Sequence, residues 1–180
     1  GVGIGLGGFQ CGDGGVDLFV LGIFAWALMG FANVYYGNAQ HVLDLTVEAV
    51  KGKTALAVTR SMAYHPEVQH AIAEMVIEME SVGAHLDWIG DDWSNGVDHG
   101  MAWPLKFAAA KHHAAEGTWN VVDAAMDLQG GFSIFKTAGF ERLWRDARLA
   151  KIHPTNKALT MELVGKTALG ISPDEEPRWG

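Results

Sequence analysis

PEVQHAIAEMVIEMESVGAHLDWIG, residues Pro66–Gly90, is the stretch that decides the fold. Val68, Ile72, Met75, Met79, Val82, Leu86 and Ile89 recur in alternating steps of four and three, which places them on one face of a helix. Pro66 suits the first turn of such a helix, where its missing N–H has no intrahelical partner to lose. A continuous apolar stripe of this length must be buried against something, and the chain on either side offers more helices.

Towards the C-terminus, GDDWSNGVDHG (90–100) predicts a polar loop that ends this helix. An alanine-rich helix, roughly Met101–Leu128, follows and stops at Gly130 and Gly131. GFERLWRDARLAKI (139–152) reads as a fourth helix, Pro154 interrupts it, and TNKALTMELVGKTAL (155–169) reads as a fifth. Towards the N-terminus, TALAVTRSMAYH (54–65) is a crossing segment. Before it a helix runs from Leu18 to about Val50, with Asp17 as its N-cap. Its first half is apolar all round and is expected at the centre; its second half, HVLDLTVEAV (41–50), is amphipathic and is expected to emerge towards solvent. Few segments read as strands. The expected fold is all-α: an antiparallel, up-and-down four-helix-type bundle with an extra C-terminal helix. The bundle occupies residues 16–170, with a linker over 1–15 and an irregular tail over 171–180.

At 180 residues the chain fits one domain with a sizeable core. A net charge of −8 argues against nucleic acid as a partner, since phosphate binding needs a basic face. Residues Leu18–Gln40 carry no charge and are long enough for a membrane span, but they contain Asn33, Asn38 and Gln40 and lack flanking Lys or Arg. They are read as a bundle helix, with no membrane partner expected. Gly3, Gly5 and Gly8 have the spacing G-x-G-x-x-G, yet no strand precedes them, loop follows, and no acid stands about 20 residues on. The segment is read as a linker from an upstream domain, not as a nucleotide site. The single Cys11 excludes an internal disulfide and is consistent with a cytoplasmic protein.

Eight histidines raise the question of a metal. Glu67 and His70 form one E-x-x-H, but a di-iron carboxylate bundle needs two, and no second is present. His112 and His113 are adjacent and point about 100° apart on a helix, so they cannot chelate one ion. No metal site is expected. No G-x-S-x-G occurs, Cys11 has no helix N-terminus to activate it, and the seven tryptophans read as packing residues.

The C-terminal third differs. A glycine pair followed by an aromatic (Gly130, Gly131, Phe132) precedes the R-D-A-R of Arg145–Arg148, and a short loop then opens another helix. Taken alone, these are a helix C-cap and a solvated charge run with an internal ion pair. In combination they resemble the C-terminal helical domain of the acyl-CoA dehydrogenase flavoprotein superfamily, over roughly Val16–Gly170 and most strongly over Ala124–Ile152. The resemblance implies a bundle that packs against other subunits, usually in a homotetramer, and FAD held between this bundle, a β-domain and a neighbouring subunit. It implies contact with the FAD of an adjacent subunit at Gln129, Gly130, Gly131 and Phe132, with Asn156 as a further cofactor-binding position.

The departures from the family pattern concern the proton. Desaturation of an acyl-CoA needs a carboxylate to take the α-proton while the flavin takes the β-hydride. The family's usual glutamate aligns with Pro154, and the alternative position in the first bundle helix falls at Phe19 or nearby; neither can accept a proton. His153 is the candidate catalytic residue. It resembles the histidine of a flavin-dependent monooxygenase branch, which serves the flavin's oxygen chemistry or assists deprotonation. The other reading of His153 is a polar residue satisfying backbone ahead of Pro154. Three functions stay open: FAD-dependent acyl-CoA dehydrogenase, reduced-flavin monooxygenase acting on a small aromatic substrate, and a non-catalytic assembly domain.

Overall fold

The computed structural model describes residues 18–54, 56, 59–172 and 175. The expected linker over 1–15, the Asp17 cap, Cys11 and most of the expected tail lie outside these described residues. Five α-helices carry the fold: α1 (Leu18–Gly52), α2 (Pro66–Ser94), α3 (Trp103–Gln129), α4 (Phe140–Ile152) and α5 (Lys157–Leu169). Short 3-10 turns lie at Met62–Tyr64, Gly100–Ala102, Gly130–Ile134 and Lys136–Ala138, and no strand is present among the described residues beyond an isolated bridge between Thr54 and Ser61.

Helix α3 is the hub and packs against all four others. Its alanines explain why: Ala108, Ala110, Ala114, Ala115 and Ala125 are buried, and small side chains let neighbouring helices approach from several directions. One core cluster joins Leu21, Ala25 and Leu28 of α1 to Val82, Leu86 and Ile89 of α2 and to Trp103 and Phe107 of α3. A second joins Val42 and Leu43 of α1 to Met75 and Met79 of α2, Val121 and Val122 of α3, and Leu143 and Ala147 of α4. The start of α1 therefore meets the end of α2 and the start of α3. Helices α1 and α3 run one way, with α2 and α4 antiparallel to them, as the up-and-down reading expects.

The α2 stripe is buried as its spacing predicts, with Val68, Met75, Met79, Val82, Leu86 and Ile89 inside. Two expectations need correction. Helix α2 does not stop at Gly90 but continues to Ser94, because Trp93 packs edge-on against Trp103 and Phe107 and rewards another turn. The first half of α1 is not enclosed on all sides. Leu21, Ala25, Leu28 and Ala32 are buried, whereas Ile23, Phe24, Trp26, Phe31 and Val34 are exposed, Trp26 by 80%. The three helices packed against α1, namely α2, α3 and α4, cover only one side of it. By length and composition alone, Phe19–Gly52 would also suffice to cross a membrane.

Candidate functional site

Helix α4 buries Phe140, Leu143, Ala147 and Ala150 and turns its charges outward. The internal ion pair expected within R-D-A-R is instead Glu141 with Arg145, 2.9 Å apart at i,i+4, and Arg148 lies over the Trp119 ring. The helix ends at His153, whose backbone leaves the helical region and whose N–H donates to Leu149 O at 2.9 Å. Pro154 has no N–H with which to continue. Asn156 restarts the chain as the N-cap of α5, its Oδ1 accepting from Leu159 N at 3.1 Å. The result is a four-residue turn, 153–156, across one end of α3.

Within that turn the His153 ring lies 4.3 Å from the Phe31 ring of α1, inclined by 56°. His153 Nδ1 and Thr155 Oγ1 are buried and have no hydrogen-bond partner. Beneath the turn sits Lys111 of α3, only 1% exposed. Its Nζ donates to the carbonyl oxygens of Ala150 at 3.3 Å, His153 at 2.9 Å and Thr155 at 2.9 Å. Those bonds use all three ammonium hydrogens. Burial pushes the Lys111 pKa down and the neighbouring Tyr35 phenol up. The carbonyl ends of α4 face the ammonium and offset part of that cost.

Gly130, Gly131 and Phe132 form an exposed 3-10 turn at the far end of α3. Gly130 has φ +65°, which a side chain would strain, and Gly131 has open space where a Cβ would stand. Ser133 Oγ ties the turn back to Gly130 O at 2.7 Å, and Lys53 Nζ reaches Gln129 O at 3.2 Å. Gln129 itself is buried, with Nε2 unpartnered. The structure does not bring this turn and the His153 turn together. Lys111 and Gln129 are separated along α3 by about 27 Å at the rise of a helix.

Other sequence candidates resolve as packing. His85 and His113 meet with Nδ1 atoms 3.0 Å apart and ring centroids 5.3 Å apart. The centroid separation is close to the nitrogen separation plus both ring radii, so the nitrogens point head-on. That is a hydrogen bond, not a chelate. His99 pairs with Asp92 at 2.7 Å. Among the described residues no three His, Cys, Asp or Glu side chains converge as metal ligands. Phe19, in the first turn of α1, stands about 18 Å along that helix from Phe31, so it is remote from the His153 turn. Sequence reasoning missed Lys111 and Phe31. The one available signal for Lys111 was a lone charge in AAAKHHAA (108–115), on a face otherwise made of small residues.

Residues 29–157 match the family described as acyl-CoA dehydrogenase, C-terminal domain. Acyl-CoA dehydrogenase FadE12 of Mycobacterium tuberculosis is 27% identical over 159 residues, 88% of this chain and 40% of that protein. The 3-sulfinopropanoyl-CoA desulfinase of Paraburkholderia xenovorans is 28% identical over 79% of this chain and 35% of its own length. Among solved structures, butyryl-CoA dehydrogenase from Megasphaera elsdenii superposes with a TM-score of 0.76 at 18% identity, over 85% of this chain and 38% of that one. The chain thus spans about two fifths of the length of the relatives it matches.

Proposed function

The chain belongs to the acyl-CoA dehydrogenase C-terminal domain family, and on that premise we propose that it is the helical domain of an FAD-dependent oxidoreductase that introduces a Cα–Cβ double bond into an acyl-CoA thioester. The observation that carries the reading is the His153–Asn156 turn, pinned from below by Lys111 and packed against Phe31. Bound flavin supplies acceptance of the β-hydride. Within the turn of His, Pro, Thr and Asn, the His153 imidazole is the one side chain whose ring nitrogens can both accept and donate a proton. Its buried Nδ1 has no partner, and an imidazole in that state can take a proton or hold a hydrogen bond.

The glycine turn fits a flavin as well. Its exposed backbone carries no side chain at Gly130 or Gly131, and the orphaned Gln129 amide lies behind it. Backbone N–H groups in such a turn can approach a pyrophosphate closely. Because this turn lies about 27 Å along α3 from Lys111, one flavin cannot touch both regions of a single chain. We therefore assign the two regions to flavins in different copies of a homo-oligomer, a tetramer in this reading. The exposed apolar side of α1 is the surface that association would cover.

A specific observation supports a second reaction. Pro154, which the resemblance to the family places at its usual glutamate, is exposed and cannot take a proton. That favours a monooxygenase using reduced flavin and O₂, with His153 beside the reacting oxygen. The full-length protein decides between them. Anaerobic bleaching of its flavin by butanoyl-CoA is the expected result for desaturation; oxygen uptake with added reduced flavin, and no bleaching, would show the second reaction. A protein that binds no flavin in either oxidation state is an assembly domain, and both enzyme readings fail. His153→Ala should slow flavin bleaching by about 10²-fold or more if the imidazole transfers the proton. In the monooxygenase it should raise release of hydrogen peroxide without product. An unchanged rate and unchanged coupling would return His153 to a backbone-capping role.

A further inference from the structure

Among the described residues Lys111 is the one buried cation, neither reading of the chemistry gives it a step, and its surroundings are specific. It projects from the small-residue face of α3 into the space between α1 and the end of α4. There Tyr35, Ala115 and Ala150 form a closed apolar cluster, with the Tyr35 ring centroid 5.8 Å from Nζ. A buried ammonium is costly unless every hydrogen is bonded, and here each donates to a main-chain carbonyl. Two of those carbonyls belong to the His153–Asn156 turn and the third to the last turn of α4. No side chain of the turn makes a comparable tie to α3: the Thr155 hydroxyl and His153 Nδ1 are unpartnered, and Asn156 Oδ1 is used within α5.

We propose that Lys111 is the positioning residue of the site: by holding the carbonyls of Ala150, His153 and Thr155 it fixes the turn against α1, and so sets where the His153 imidazole stands. The proposal rests on the reading of this turn as the acid–base part of the site. Lys111 touches no reacting atom. It acts through the backbone of His153, and a shift of about 1 Å in a group that transfers a proton can cost about 10²-fold in rate.

The test uses the full-length protein loaded with FAD and two variants. Lys111→Met keeps the stem and removes all three donors; Lys111→Gln keeps an amide that donates two hydrogens. Peptide-resolved amide hydrogen exchange is read first. In Lys111→Met, exchange over 150–157 should quicken about tenfold while the peptides of α1 and α2 exchange as in the wild type. With butanoyl-CoA and a ferrocenium acceptor, kcat should fall about 10²-fold with KM changed less than about twofold, and Lys111→Gln should lie between. Unchanged exchange at the turn with unchanged kcat overturns the proposal. So does uniform quickening in every helix, or failure of both variants to fold, because Lys111 would then serve the whole bundle. A wild-type protein that leaves butanoyl-CoA untouched refutes the desaturation reading with this substrate, and the exchange pattern alone then upholds or overturns the role of Lys111.

Discussion

The head-on contact of His85 and His113 across α2 and α3 admits only one proton between the two Nδ1 atoms. Burial holds the His85 pKa below its ordinary 6.5, helped by the charges of His113 and Lys106. His112 is also held low, first by burial, although Glu116 opposes it. Groups with folded pKa values depressed in this way bind protons more readily in the unfolded chain, so stability rises with pH through the region. Their contribution is complete above about 6.5 and is lost as pH falls through the depressed folded values. The expected result is a melting temperature that drops between pH 7 and pH 5. Because the lowered His112 contributes in the same direction, the drop should shrink, not vanish, in His85→Phe. An equal drop in that variant would remove the pair as its source. Asn156→Ala removes the side-chain acceptor for Leu159 N and should cost about 1 kcal/mol in denaturant unfolding.

At the level of elements, the bundle is set by how closely α3 can be approached. A Cβ built on Gly117 would stand 2.6 Å from Val82 Cγ2 and 2.9 Å from Glu78 Oε1. Val82 is buried and β-branched, so it cannot swing aside. Gly117→Ala should therefore push α2 from α3 and lower stability by about 1–3 kcal/mol, despite alanine's better helix propensity. Gly83→Ala is the useful contrast. Its Cβ meets the Tyr36 hydroxyl at 2.8 Å, the far end of a half-buried side chain that can rotate, so its loss in thermal melting should be smaller. If Gly117→Ala melts at or above the wild type, the contact between α2 and α3 is looser than described. The same closeness explains how Asn38 Nδ2 of α1 reaches Leu143 O of α4 at 3.2 Å and locks α4 against the pair formed by α1 and α3.

For the molecule as a whole, the unusual surface is the first half of α1. Trp26 is 80% exposed and borders a cleft of about 400 Å³ whose other wall includes Leu86, Gly90 and Trp93 of α2. Several large apolar side chains exposed on one helix mark an interaction surface, the one that the oligomer proposed above would cover. Trp26→Glu combined with Phe24→Glu should weaken self-association of the full-length protein by about 30-fold or more, read by sedimentation equilibrium. An unchanged association constant would place the oligomer contact elsewhere.

Most of the helix framework was legible in one dimension because its signals are local. The four-and-three spacing of α2, Pro66 at its first turn and Gly130 after the last turn of α3 each act within a few residues of themselves. The combination of Gly130, Gly131 and Phe132 with R-D-A-R, which points to the family, lies within one stretch of the C-terminal third. What no window of sequence could supply was the company each residue keeps. Trp93 extends α2 only because Trp103 and Phe107 wait beside it, and an apolar first half of α1 does not reveal how many sides the bundle covers. The His153 turn depends on Phe31, Lys111 and Ala150 arriving together from three helices. Their meeting is fixed by close packing around α3, where a burial cost is met by partners far away in the chain.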